Sequence, residues 1–359
     1  MALHPLIELA TSREVKHTKG FRKVAEGLTG EFLDEQYLLE VENAPRRHSA
    51  GKKHFTAHPK PPSERRSGKD VEHLAAALVK CCADRGRGLD LPDGTPVDLI
   101  DYLVPVATAS VDRAKGDADP NKGVGKIHLL GQLPDGRLVV LVLKYIAPSA
   151  TRGGTGDTPL RAFLEGLAQC AMLDANREAI AAELAEKGGR EISTEAPALI
   201  LLGSPRYWEL CRKREAQKGA AWIRGLERLG RETAEAIGVE IHFLGLELDG
   251  DPGWEYGDAG PTLVSDPSLE FAWEARAGKL KPKPKPKPKK ASAEESLVEP
   301  DLSRDVRGYR INDSYSAGDR IDHPTLGMGV VQGLAGVGKI VVLFDERRSV
   351  LVHERPPRG

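Results

Sequence analysis

The sequence predicts an α/β domain with a mixed central sheet flanked by helices, followed by a small, glycine-turned β-barrel. Three observations predict it. Between residues 67 and 250, helical and strand-like runs alternate as helix, three strands, helix, strand, helix, strand, an order that needs a sheet with helical cover. From Lys279 to Lys290 a Lys-Pro repeat interrupts all periodicity. Beyond it, Gly318, Gly327, Gly329, Gly336 and Gly338 punctuate short apolar runs.

Residues 1–66 form an N-terminal extension in which the alternating segment Phe32 to Val41 is expected to pair as strands. It ends in a basic loop. Arg46, Arg47, Lys52, Lys53, Lys60, Arg65, Arg66 and Lys69 face only Glu64 there, amid several prolines. His48, His54 and His58 are irregularly spaced within it and spell no metal site. Ser67 then reads as an N-cap, and Val71, Leu74, Ala75 and Leu78 follow at helical spacing, predicting a helix over about 69–83. A strand is expected over about 97–108. Next come two apolar, β-rich runs flanking Pro134-Asp135-Gly136, a turn in which Pro presets φ and Gly supplies φ > 0. Thr158-Pro159 opens a helix expected to reach about Glu186, since Pro suits the first helical turn. A short apolar strand (197–203), a helical region (206–237) and a further strand (239–248) complete the domain.

Residues 251–308 read as a linker. The Lys-Pro repeat must be extended and solvated, because Pro joins neither helix nor ladder and like charges repel. An acidic stretch, Glu294 to Asp305, is expected to be unstructured, and the barrel occupies 309–359.

Bulk properties exclude several classes. The 359 residues with 40% hydrophobic content suit a globular chain, and a net charge of −1 conceals strongly basic segments. Cys81, Cys82, Cys170 and Cys211 lack C-x-x-C spacing and read as reduced thiols in a cytoplasmic protein. No run approaches the roughly 18 apolar residues of a membrane span. Gly333 to Lys339 fits G-x-x-x-x-G-K, but Ile340 replaces the Ser/Thr that would hold Mg²⁺ and no helix follows, so no nucleotide loop is expected.

The second strand of the hairpin ends by placing Lys144 after a wholly aliphatic run, where a Lys needs a partner or a cleft. Here the chain resembles the PD-(D/E)xK nuclease superfamily, whose hairpin carries an Asp on its first strand and Glu-x-Lys on its second. Lys144 matches. His128 stands in place of the Asp, and Val142 in place of the Glu. The resemblance implies a restriction-endonuclease-like fold and a site where acids hold Mg²⁺ or Mn²⁺ while Lys positions water. His128 offers nitrogen and Val142 nothing, so cleavage is expected to be impaired or absent. Retained activity would need other carboxylates: Glu72 on the first helix, Asp101 on the preceding strand, or Glu165 on the helix after Lys144. Gln169, one turn beyond Glu165, is a candidate phosphate or base contact. Arg46, Arg47, Lys52, Lys53, Arg65, Arg66 and Lys69 are candidates for neutralising phosphates.

The string Ala317 to Val331 resembles the SH3-like or Tudor-like module of bacterial DNA helicases and transcription-repair coupling proteins. That implies a tail docking on DNA or on a protein such as a polymerase or helicase. Three functions stand open: a DNA-binding protein on a degenerate nuclease scaffold, a divergent metal-dependent endonuclease, and a protein-protein adaptor that never touches DNA.

Overall fold

The computed structural model describes residues 3–17, 20–108, 119–152, 156–215, 221–273, 297–345 and 347–354. Two compact units divide the chain, Met1–Leu280 and Lys281–Gly359.

The first unit begins with helices α1 (Pro5–Thr11), α2 (Arg13–Lys16), α3 (Phe21–Gly27) and α4 (Gly30–Asn43). The segment Phe32 to Val41, expected as strands, is therefore helical. Thr29 caps α4 by accepting the Phe32 N–H, and the buried stripe is Leu33, Tyr37 and Glu40. A carboxylate in that stripe hides the helical period from a hydrophobicity count. Glu40 is fully buried because it caps a neighbour: it accepts the N–H groups of Leu6 and Ile7 at the start of α1, and bonds His4 Nδ1 at 2.7 Å. The N-terminal extension is thus part of the main core rather than an appendage, with Leu6, Phe21, Leu33 and Tyr37 in one cluster with the sheet.

Helix α5 (Asp70–Arg85) starts one residue later than expected. Lys69 precedes it without a side-chain cap, so the N-cap expected at Ser67 is not used. Strands β1 (Leu89–Asp90), β2 (Pro96–Pro105), β3 (Lys126–Gln132) and β4 (Leu138–Lys144) follow. The hairpin turn forms where Pro-Asp-Gly places it, with Gly136 at φ 88° and its N–H bonded to Leu133 O. Thr158 caps α6 (Pro159–Ala175) by accepting the Arg161 N–H. The single helix expected to Glu186 breaks at Asn176, whose side-chain amide donates to Pro45 O and Met172 O, and resumes as α7 (Arg177–Glu186). Then come β5 (Ala198–Gly203), α8 (Pro205–Glu215), α9 (Ala221–Ile237) and β6 (Ile241–Glu247).

Strands β7 (Trp254–Gly257), β8 (Gly260–Leu263) and β9 (Ser268–Phe271) lie beyond the boundary drawn at residue 250 and belong to this unit. The β7–β8 hairpin covers α5, and β9 adds an antiparallel edge beside β6. Short strands with mixed polarity carry little periodicity, which is why they read as linker.

The seven-stranded sheet runs β1-β2-β3-β4-β5-β6-β9, antiparallel from β1 to β4, parallel from β4 to β6, and antiparallel again at β9. The runs 138–143 of β4 and 198–202 of β5 are aliphatic because both faces are covered. On one face Leu74 and Leu78 of α5 pack with Leu129, Leu141 and Leu143. On the other, Phe163 and Leu167 of α6 pack with Val140, Val142 and Leu201. Gly166 permits that approach. A Cβ there would meet Leu199 Cδ1 at 2.4 Å and Val142 Cγ2 at 3.0 Å, so α6 lies against β4 and β5 without clearance.

In the second unit, β10 (Arg307–Gly308), β11 (Arg320–His323), β12 (Gly327–Gly336), β13 (Lys339–Phe344) and β14 (Arg347–Val352) form a five-stranded sheet in that order. Its core is Tyr315, Ile321, Val331, Ile340, Val342 and Phe344. The Tyr309 hydroxyl donates to Val352 O at 2.6 Å, tying the last strand to the segment after the first. Part of the acidic stretch expected to be unstructured is ordered here, because its charges are paired: Arg304 bridges Asp301 at 2.9 Å and Asp319 at 2.6 Å. The Lys-Pro repeat lies outside the described residues.

Candidate functional site

The β3–β4 ladder runs from the Gln132–Leu138 pair to the Leu129–Leu141 pair and stops one residue short of His128 and Val142. Beyond it the imidazole replaces the missing ladder partner: His128 Nδ1 accepts the Leu143 N–H at 3.1 Å. An acceptor Nδ1 is unprotonated, so in the neutral ring the proton sits on Nε2. Burial, reinforced by the neighbouring Lys144 ammonium, holds the imidazole pKa down at about 4. His128 is therefore a neutral donor near pH 7.

Lys144, at the end of β4, is only 11% exposed in its side chain and has two carboxylates. Its Nζ lies 2.7 Å from Asp157 Oδ1 and 3.6 Å from Glu165 Oε2. Asp157 sits in the loop one residue ahead of the Thr158 cap, and Glu165 is on α6. Arg161, one turn before Glu165, bonds its Oε1 at 2.7 Å and also donates to Gly156 O. Two cations and two carboxylates form a closed, neutral network. Gln169 follows on the same helix face. Its Nε2 donates to Lys126 O at 3.3 Å, while its Oε1 is buried with no hydrogen-bond partner among the described residues. A cavity of about 270 Å³ is lined by His128, Val142, Lys144, Arg161, Glu165 and Gln169, with Ile7 and Met172.

The other sequence candidates lie elsewhere. Glu72 is on α5, which covers the opposite face of the sheet, and it pairs with Lys69; its charge reaches His128 only as a minor influence that opposes the lowering of the imidazole pKa. Asp101 bonds His58 Nε2 at 2.5 Å and accepts the Tyr102 N–H, with the His58 ring stacked on Tyr102 at 3.8 Å. Neither joins Lys144.

The basic loop is a folded strap. Arg47 is 6% exposed and spends its guanidinium on Lys53 O and Ala107 O, so it is not a surface cation. Glu183 of α7 accepts the N–H groups of His54 and Phe55 and the His54 Nδ1 proton, clamping the strap. Lys53 pairs with Glu186, Arg65 with Asp70, and Arg46 donates to Val41 O. Lys52 and Arg66 are exposed and have no carboxylate partner among the described residues.

Asp157 and Arg161 escape a motif-based reading. Arg161 had a legible signal, its i,i+4 spacing to Glu165. Asp157 had none beyond its place just before a helix start, because only the fold brings that loop to the end of β4.

Among the described residues no group of three or more His, Cys, Asp or Glu side chains converges, and Asp157 and Glu165 are already neutralised by Lys144 and Arg161. Among the described residues no helix is long and apolar enough to cross a membrane. No family model matches the chain, and neither a curated protein nor a solved structure matches it.

Proposed function

We propose that this chain binds nucleic acid without cutting it, on a nuclease-like α/β scaffold that keeps the family's Lys as Lys144 while His128 and Val142 stand in place of its acids. The observation that carries this reading is the seat of Lys144 Nζ between Asp157 and Glu165, 2.7 Å and 3.6 Å away, beside His128 at the position of the family's acid. A Lys ammonium held by two carboxylates supplies a fixed positive charge at the end of that hairpin without the Lewis acidity of a metal ion. The second unit resembles an SH3-like module and serves as the docking element, for DNA or for a polymerase or helicase. Lys52, Arg66 and the lysines of the Lys-Pro repeat supply phosphate contacts, which act by counterion release and ignore sequence.

The test is fluorescence anisotropy of the full chain with labelled single-stranded and duplex 20-mers at 50 and 200 mM NaCl. Contacts to three or four duplex phosphates predict roughly a 40- to 150-fold loss of affinity across that range. No binding at 50 mM salt would sink the reading in favour of the adaptor. Plasmid cleavage in Mg²⁺ or Mn²⁺ that vanishes in Lys144→Ala would replace it with the endonuclease. A further check is the paired change His128→Asp with Val142→Glu, which should confer Mn²⁺ binding seen as a thermal shift. A folded double variant that ignores Mn²⁺ counts against the nuclease-like scaffold.

A further inference from the structure

The cavity between the β3–β4 hairpin and α6 has a chemistry that the ion-pair network does not use. Its walls at Val142, Met172 and Ile7 are apolar, and two polar groups in its lining have an unused valence. His128 is one. Because the Leu143 N–H occupies Nδ1, the free valence is an N–H donor on Nε2, fixed by the backbone rather than by solvent. Gln169 is the other. Its amide nitrogen is committed to Lys126 O, which sets the amide orientation and leaves Oε1 an acceptor without a partner. At about 270 Å³ the cavity falls below the roughly 300–1,000 Å³ of drug-sized sites, and so suits a single ring system.

We propose that this cavity receives one unpaired nucleobase, whose edge places an acceptor on His128 Nε2–H and a donor on Gln169 Oε1. The inference rests on the nucleic-acid reading above. A slot with apolar walls in which one donor and one acceptor remain unused beside the paired charges of Lys144, Arg161 and Glu165 matches the way extruded bases are held, by contact on the ring and hydrogen bonds along the pairing edge. Every base carries a donor next to an acceptor on that edge, so the site distinguishes a base from no base and an unpaired base from a paired one. It offers nothing to a duplex whose bases stay stacked.

The experiment uses the full chain and two labelled strands with the same phosphates: a 12-mer of abasic residues, and the same 12-mer with one central thymine. The thymine strand is expected to bind about tenfold tighter, the size of one well-held base contact. Gln169→Leu should remove that advantage while leaving binding of the abasic strand unchanged. Equal binding of the two strands by the wild-type chain overturns the base site and leaves the nucleic-acid reading standing. A thymine advantage that survives in Gln169→Leu places the base contact elsewhere and likewise overturns the proposal. If neither the abasic strand nor ordinary 20-mers bind at 50 mM salt, the nucleic-acid reading falls, and this inference with it.

Discussion

Lys144→Met removes the ammonium from between Asp157 and Glu165 and keeps the length of the aliphatic stem. At an effective dielectric of roughly 20, its gross attraction is about 6 kcal/mol to Asp157 at 2.7 Å and about 5 kcal/mol to Glu165 at 3.6 Å. Desolvation of a Lys that is 11% exposed offsets most of this. Removing one partner from a fully buried pair costs about 3–5 kcal/mol. Here Asp157 stays 29% exposed and Glu165 keeps Arg161, so a net loss of about 2 kcal/mol is expected. The assay is urea unfolding followed by tryptophan fluorescence, which reports the first unit alone because the four tryptophans are Trp208, Trp222, Trp254 and Trp273. A double-mutant cycle with Asp157→Asn isolates the pair, with an expected coupling of about 1–2 kcal/mol at unchanged m value. Coupling indistinguishable from zero in variants with wild-type m values would refute the seating of the Lys144 ammonium on Asp157.

Three other outcomes follow from the same geometry. The folded chain resists protonation of His128 down to about pH 4, whereas an unfolded His takes its proton near 6.5. The unfolded state therefore binds the extra proton in that window, so this stabilisation is complete above pH 6.5 and is lost as pH falls towards 4, by up to about 3 kcal/mol. His128→Asn, which keeps an acceptor for Leu143, should flatten the stability profile over pH 4–6.5 relative to wild type; identical slopes would contradict the assignment. Glu183→Ala leaves two strap N–H groups and a buried imidazole unpaired, and should speed limited trypsin cleavage after Lys52 or Lys53 by about tenfold or more, as read by mass spectrometry. Glu40→Ala uncaps α1 and should lower urea stability by about 2–4 kcal/mol, while an effect under about 0.5 kcal/mol would mean that water replaces the carboxylate.

Local chemistry alone determined much of this protein. Pro134-Asp135-Gly136 fixes its hairpin, Thr158-Pro159 its helix start, and the uninterrupted aliphatic runs of β4 and β5 mark strands buried on both faces, because turn geometry, capping and period are properties of a few adjacent residues. Lys144 was legible for the same reason: a charge closing an aliphatic strand demands a partner. Tertiary structure decided who that partner is. Glu72 and Glu165 look equivalent as helix acids, yet the sheet separates them, and Asp157 carries no local mark at all. Glu40 and Arg47 read as surface charges until their distant partners, the start of α1 and Ala107 O, are in place. Pairing between residues of different elements is set by which faces the sheet must cover, and no short window of sequence contains that information.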